Sequence, residues 1–219
     1  MDIIEAIKTR KSIRGYLPDP VPQEIIRAIL ETALRSPSAV NNQPWVFTIV
    51  TGEVLDKIRH ENVESLLAGV PAYDRTSRYA GVFKQRRVEL AKDIFALMDI
   101  KRDDEVKRKE WSHRGFRFFD APVAIIISVD KSLDGSWSLF DIGAISQTIC
   151  LAAMHYGIGT CIEDQGVKFH SVLRKHALIP ENQDIIIGIA LGYPDPDFPA
   201  NQLSSRREPL DKVSTWLGF

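Results

Sequence analysis

The chain has 219 residues, 44% of them apolar and 26% charged, with a formal net charge of -1 at pH 7. That is ordinary globular composition, long enough for one large α/β or α+β domain with a substantial core. It excludes any global attraction to nucleic acid or to an anionic membrane. A basic site, if there is one, must be local.

The chain opens on Asp2 followed by Glu5, a capping-box pair, and Ile3, Ile4, Ala6 and Ile7 give a helical apolar face that runs into "RKSIR" at residues 10–14. A second helix is predicted from about Pro22, burying Ile25, Ile26, Ile29, Leu30, Ala33 and Leu34 and stopped by Ser36-Pro37. The polar loop "SPSAVNNQPW" leads to a strand, "VFTIV", and then to a helix from about Glu53. Residues 70–118 are the most polar and irregular part, with one helix, "VFKQRRVELAKDIFALM", and a charged run, "KRDDEVKRKE", that reads as a solvated face or loop.

The second half is more regular. "PVAIIISV" and "DIIIGIAL" are β-branched and apolar enough to be central strands buried on both faces. Between them, Ser138 and Asp141 suggest a capping box opening the helix "DIGAISQTICLAAMHYG", which closes at Gly157 and is apolar on almost every face, as a central helix would be. A short strand "GTCIE" and a helix around "KFHSVLRKH" follow, and the tail "SSRREPLDKVSTW" carries Arg206 and Arg207. Runs such as "APVAIIISV" are too short to span a bilayer and the N-terminus is not signal-like, so no membrane association and a cytoplasmic location are expected. Cys150 and Cys161 lack metal or redox spacing and read as reduced thiols, and the five histidines show no ligand pattern, so no metal is expected.

Two basic clusters far apart in sequence can converge on one phosphate, for which arginine's planar donors are suited, with Ser12 adding a hydroxyl. The competing reading is that Arg10, Lys11 and Arg14 only complement a helix C-terminus. Asn41, Asn42 and Gln43 offer amides of the kind that read a heterocycle's edge, or simply form a polar turn before a strand. With no Gly-x-Gly-x-x-Gly and no Gly-x-x-x-x-Gly-Lys-Ser/Thr, a nucleotide-like ligand needs another scaffold.

"IKTRKSIRGY", "SPSAVNNQPWVFTIV", "DIGAISQTICLAAMHYGIGT", "GIALGYPDP" and "RREPLDKV" follow one another in the order and spacing of the FMN-dependent nitroreductase family, which the chain resembles everywhere except about residues 60–118. "FFDAPVAI" and "KQRRVELA" look most like the nitrobenzoate-reducing branch. The resemblance implies an α+β fold with a central, mostly antiparallel sheet surrounded by helices, in one domain over residues 1–219 with 70–118 as a variable lid. It also implies a homodimer with swapped termini and two FMN sites at the subunit interface.

Carried over by position, the family pattern has Arg10, Lys11 and Ser12 holding the FMN phosphate with Arg207, and Arg14 reaching the ribityl chain or the pyrimidine end of the ring. Pro37, Ser38 and Ala39 would contact the same flavin from the other subunit, with Asn41 and Gln43 near it and Gln147 at its polar portion. Backbone donors near flavin N5 point to Ile162, Glu163 and Asp164. The chain departs from the family where Ser205 replaces a common lysine, leaving Arg206 to compensate, and where Glu163-Asp164-Gln165 replaces glycines after the strand. The implied activity is ping-pong electron transfer from NADH or NADPH to a small aromatic acceptor, nitroaromatic or quinone-like, with no protein acid or base assigned. Acceptor choice would rest with Tyr73, Tyr79, Phe83, Lys84, Arg86 and Arg87 in the lid. Reductive dehalogenation or enone reduction on the same site, or FMN storage without turnover, are the alternatives.

Overall fold

The structure is a computed structural model that describes residues 2–73, 79–133 and 135–219. Residues 74–78 of the expected lid lie outside the described residues. The first helix, α1 (Ile3–Thr9), begins where the sequence places it: Asp2 Oδ1 accepts the N–H groups of Ile4 at 2.9 Å and Glu5 at 3.3 Å. In α2 (Gln23–Ala33), Ile26, Ile29 and Ala33 are buried, but Leu34 is exposed because the helix stops one residue before it.

After α2 come β1 (Trp45–Thr51), α3 (Gly52–Leu67), α4 (Gly81–Leu97) and α5 (Glu105–Phe116), then β2 (Val123–Asp130), α6 (Gly135–His155), β3 (Gly159–Glu163), α7 (His170–Ala177) and β4 (Gln183–Gly192). The charged run 101–110 divides into a turn and the exposed first half of α5, which Asp104 caps by accepting the Lys107 N–H at 2.9 Å.

The strands form one antiparallel sheet in the order β1-β2-β4-β3. The uninterrupted apolar run of β2 is explained by its neighbours. Val123, Ile125, Ile127 and Val129 face a core built from α2 and α6, while Ala124 and Ile126 face a second core containing Leu55 and Ile58 of α3 and Val172 and Leu173 of α7. With a side-chain period of two, a strand covered on both faces is apolar at almost every position, the buried exception being Ser128, whose hydroxyl donates to Gln183 Oε1 at 3.2 Å. Burying each isoleucine contributes about 1.5–3 kcal/mol.

One boundary differs from the sequence reading. Helix α6 begins at Gly135, so Ser138 lies buried within its first turns and does not cap it. The Asp141 carboxylate, expected to complete that box, turns instead to the loop before β1. Among the described residues α6 is the one helix long and apolar enough to cross a membrane by length and composition. Its buried side chains, including Ile142, Ile145, Ile149 and Ala153, pack in the core against α2 and β2, as the sequence pattern predicts for a central helix. Its other side stays open, with Trp137 and Phe140 each 69% exposed.

Candidate functional site

Helix α1 delivers the chain at Arg10 to a segment held against β3. Ile13 donates its N–H to Thr160 O at 2.9 Å, and Ser12 bridges Thr160 in parallel register. Gly159 must be glycine for this approach, since a Cβ there would stand 2.7 Å from the Ile13 side chain. The Tyr16 hydroxyl locks the far end by donating to Ile13 O at 2.7 Å.

Arg14 is held more tightly than its neighbours. Its N–H donates to Asn201 Oδ1 at 2.7 Å, and the Gly15 N–H donates to the same oxygen at 3.2 Å. Asn201 Nδ2 returns bonds to Gly15 O at 2.7 Å and Asp195 O at 2.9 Å. From the other side Arg114 Nη2 donates to Arg14 O and to Phe119 O, both at 3.1 Å, while Arg114 Nη1 pairs with Asp120 at 2.9 Å. The Arg14 guanidinium lies 5.8 Å from the centre of the Phe119 ring. Among the described residues, Arg10, Lys11 and Arg14 have no carboxylate partner. Three cations in five residues without a carboxylate partner concentrate positive charge locally in a nearly neutral chain.

The loop 36–45 is built on α6. Ser36 Oγ donates to Thr148 Oγ1 at 2.8 Å, and the Ala39 N–H is shared between both oxygens of the buried Asp141 at 3.2 Å. Gln43 donates its N–H to Ser38 Oγ at 3.0 Å and its side-chain amide to Asn41 O at 3.3 Å. Val40, Asn41 and Gln43 have φ of 47°, 59° and 49°, left-handed backbone that is uncommon for asparagine and glutamine and strained for a β-branched valine. Pro37, Asn41 and Gln43 are exposed, and Ser38 and Ala39 half-buried.

The loop is fixed to α6 at both Asp141 and Thr148, and Arg10 is close enough to Cys150 to counter the rise in that thiol's pKa that burial causes. Gln147, next to Thr148 on the helix, is half-buried.

At the end of β3 the three predicted contact residues have different surroundings. Ile162 is exposed and Asp164 pairs with Lys168 at 3.3 Å. The Glu163 side chain turns into the core, where Oε2 accepts the Gly166 N–H at 2.9 Å and buried Oε1 has no hydrogen-bond partner. Gly166 and Gly188 leave room for this carboxyl, since a Cβ on either would stand 2.8 or 2.9 Å from Oε1. Burial pushes its pKa up to about 8, against the Gly166 N–H bond.

A sequence profile of the nitroreductase family matches residues 7–193. The chain belongs to the nitroreductase family. It is 33% identical over 225 residues to a nitrobenzene nitroreductase of Ectopseudomonas oleovorans, covering 98% of this chain and 96% of that protein. It is 32% identical over 224 residues to a 4-nitrobenzoate reductase of a Nocardioides strain, covering 96% and 88%. In structure it resembles the FMN and NADPH-dependent nitroreductase NfnB from the strain described as sphigopyxis sp. HMH, with a TM-score of 0.94, 28% identity and full coverage of both chains. The nitroreductase fold that the sequence motifs imply is thus the fold observed.

In this nitroreductase the tail and the lid are tied to each other. Arg206 reaches α4, with Nη2 3.1 Å from Asp93 Oδ2 and Nη1 4.0 Å from Glu89. Arg207 folds back onto Ser205, donating to its O at 3.1 Å and its Oγ at 2.7 Å. Arg86 pairs with Glu208 at 3.0 Å, which Lys212 also reaches at 3.5 Å, while Arg87 lies over Tyr79 at 5.8 Å. Phe83 and Lys84 are exposed on α4, and Tyr73 stacks on His170 with ring centres 4.4 Å apart. In the single chain Arg206 is thus paired with carboxylates of α4, and Arg86 with Glu208. Sequence reasoning took Asp141 for a helix cap and missed Asn201 and Arg114 altogether; the signal available for Asn201 was an asparagine in the otherwise apolar start of the "FPANQL" turn.

Proposed function

We propose that the protein is an FMN-dependent oxidoreductase that takes electrons from NADH or NADPH and passes them to small nitroaromatic acceptors, working as a cytoplasmic homodimer. The observation that carries this reading is the acid-free cation cluster of Arg10, Lys11 and Arg14, bonded edge-on to β3, in a chain whose named relatives reduce nitrobenzene and nitrobenzoate. The donor set fits a flavin phosphate: two guanidinium groups, an ammonium and the Ser12 hydroxyl, with no carboxylate to compete.

In this reading Arg10, Lys11 and Ser12, joined by Arg207, take the phosphate, and Arg14 faces the ribityl chain or the pyrimidine end of the ring. Pro37, Ser38, Ala39, Asn41 and Gln43 come from the partner subunit, Gln147 lies at the polar portion, and Ile162, Glu163 and Asp164 supply backbone donors. FMN, when bound, supplies the two-electron carrier between nicotinamide and acceptor. The chain's own part is to bind and orient, and residues 70–118 cover the acceptor.

The dimer rests on surfaces a monomer leaves open. Ile3, Ile4 and Ile7 of α1 are 59%, 54% and 51% exposed, and Trp137 and Phe140 near the start of α6 are each 69% exposed. Strand β1 is an edge strand, and between it and α2 runs a groove of about 550 Å³ lined by Val21, Ile26, Leu30, Leu34, Phe47 and Ile49. The tail exposes Leu210, Val213, Trp216, Leu217 and Phe219, the apolar segment that a swapped terminus would lay in that groove.

The test is acceptor-dependent consumption of NADH or NADPH by the purified yellow protein, run beside analytical ultracentrifugation. Nitrobenzene-dependent turnover by a dimer is the expected result. A yellow protein that consumes nicotinamide with no nitroaromatic acceptor refutes the acceptor class, and an active FMN-bearing monomer refutes the shared site.

A further inference from the structure

We propose that Asn201 and Arg114 are positioning residues that aim the Arg14 guanidinium at the bound ligand. The inference rests on the flavin reading above and deepens it.

The segment Arg14–Gly15 has a complete set of backbone partners, and all of them come from far away in the chain. Asn201, buried at 6% exposure in the turn Pro199–Gln202, takes both N–H groups with one oxygen and returns its amide to Gly15 O. Arg114, near the end of α5, takes Arg14 O. Gly15 is pressed so closely on Phe198 that a Cβ would stand 2.0 Å from that ring, and the Arg114 guanidinium lies 4.8 Å from the centre of the same ring. One buried and one half-buried side chain are thus spent on four backbone atoms of one dipeptide.

What this leaves over is the Arg14 side chain. Its peptide cannot rotate without breaking bonds to buried partners, and its guanidinium meets only the Phe119 face and no carboxylate among the described residues. A cation with a fixed backbone and no acid partner is preorganised for an anionic or electron-rich group, because the cost of orienting it has been met during folding. Arg114 also belongs to α5, within the region covering the acceptor. It is a donor to the cofactor segment, through its bond to Arg14 O, and it is held there by Asp120.

The test is a double-mutant cycle on the full-length chain, with FMN as the probe. Asn201→Ala, Arg114→Met and Arg14→Ala are made singly, and each of the first two is combined with Arg14→Ala. FMN dissociation constants are read from flavin fluorescence quenching, and the midpoint potential of bound flavin is read for every variant. Asn201→Ala should weaken FMN binding roughly 5- to 150-fold, the effect of removing a partner from buried donors. In the Arg14→Ala background the same change should weaken it by less than about twofold, and the potential should not move further. Equal losses in both backgrounds overturn the inference and leave the flavin reading standing. If Arg14→Ala alone changes neither affinity nor potential, the assignment of Arg14 to the flavin fails, and the inference with it. Should Asn201→Ala not fold, the Arg114→Met cycle decides alone, by the same criterion.

Discussion

The Asp141 carboxylate receives the Ala39 N–H in both of its oxygens, each at 3.2 Å, and so ties the loop 36–45 to the N-terminal third of α6. The loop carries three non-glycine residues in left-handed backbone, Val40, Asn41 and Gln43, a conformation that persists only when its surroundings enforce it. Asp141→Ala should release it. Losing a charge-assisted bond of this kind costs about 1.5–3 kcal/mol, or roughly 3–12 °C in Tm for a chain of this size. Calorimetry of the apoprotein checks the stability. FMN retention should fall as well if the loop closes over a partner's flavin.

Arg10 and Arg206 should behave differently. Arg10→Ala removes one member of the acid-free cluster and should weaken FMN roughly 30-fold to several thousand-fold, the range for truncating one side of a desolvated charge pair. Arg206→Ala breaks the pairs with Asp93 and Glu89 and should leave the protein yellow while loosening α4. The ratio of flavin to protein absorbance after dialysis separates the two. A colourless Arg206→Ala would return that residue to the phosphate.

Acceptor selection should lie with Arg87 and not with Arg86, because Glu208 already neutralises Arg86 whereas Arg87, among the described residues, meets only the Tyr79 ring. Arg87→Ala should lower kcat/KM for nitrobenzoate roughly 10- to 150-fold, the loss of about 1.5–3 kcal/mol of charge-assisted hydrogen bonding. Neutral nitrobenzene should be reduced at nearly the wild-type rate. Arg86→Ala should affect both acceptors alike. Steady-state kinetics with the two substrates decides, and an equal loss for both in Arg87→Ala would show that this cation does not read the acceptor's charge.

Glu163 gives the protein a pH-dependent stability of defined sign. Its carboxyl titrates near 8 in the folded protein, chiefly because it is buried, and near 4.5 when unfolded. Between those values the folded state binds the extra proton, so stability is full below about pH 4.5, falls as pH rises toward 8 and then levels. Urea melts of wild type and Glu163→Gln across this range should show the slope in the first and its absence in the second, once other groups are subtracted as the common background. A parallel pH dependence in the two proteins would mean that Glu163 is ionised throughout.

Much of the fold is legible in the sequence because it depends on local pattern. The β-branched runs at 122–129 and 184–191 can be buried on both faces only in the middle of a sheet, and that is where β2 and β4 lie. "RKSIR" is legible as a site because three cations without an acid nearby in sequence are unusual in a neutral chain. The start of α6 is misread because Asp141 resembles a capping partner of Ser138, while its actual partner, Ala39, is more than a hundred residues away. The same distance hides Asn201 and Arg114, whose bonds to the Arg14 segment span 187 and 100 residues. It also hides the lid's ion pairs, since a sequence shows that Arg86 and Arg206 are cations but not that Glu208 and Asp93 have claimed them.

The central claim is that this chain carries electrons from a nicotinamide donor to a nitroaromatic acceptor through FMN held by the Arg10–Arg14 segment. The most direct measurement is an anaerobic half-reaction titration of the purified, FMN-loaded protein in a stopped-flow spectrophotometer. The account predicts that NADPH or NADH bleaches the flavin absorbance near one equivalent per site, and that nitrobenzene or nitrobenzoate added afterwards restores it. Flavin that stays oxidised with both nicotinamides, or that is reduced but not reoxidised by either nitroaromatic, would contradict it.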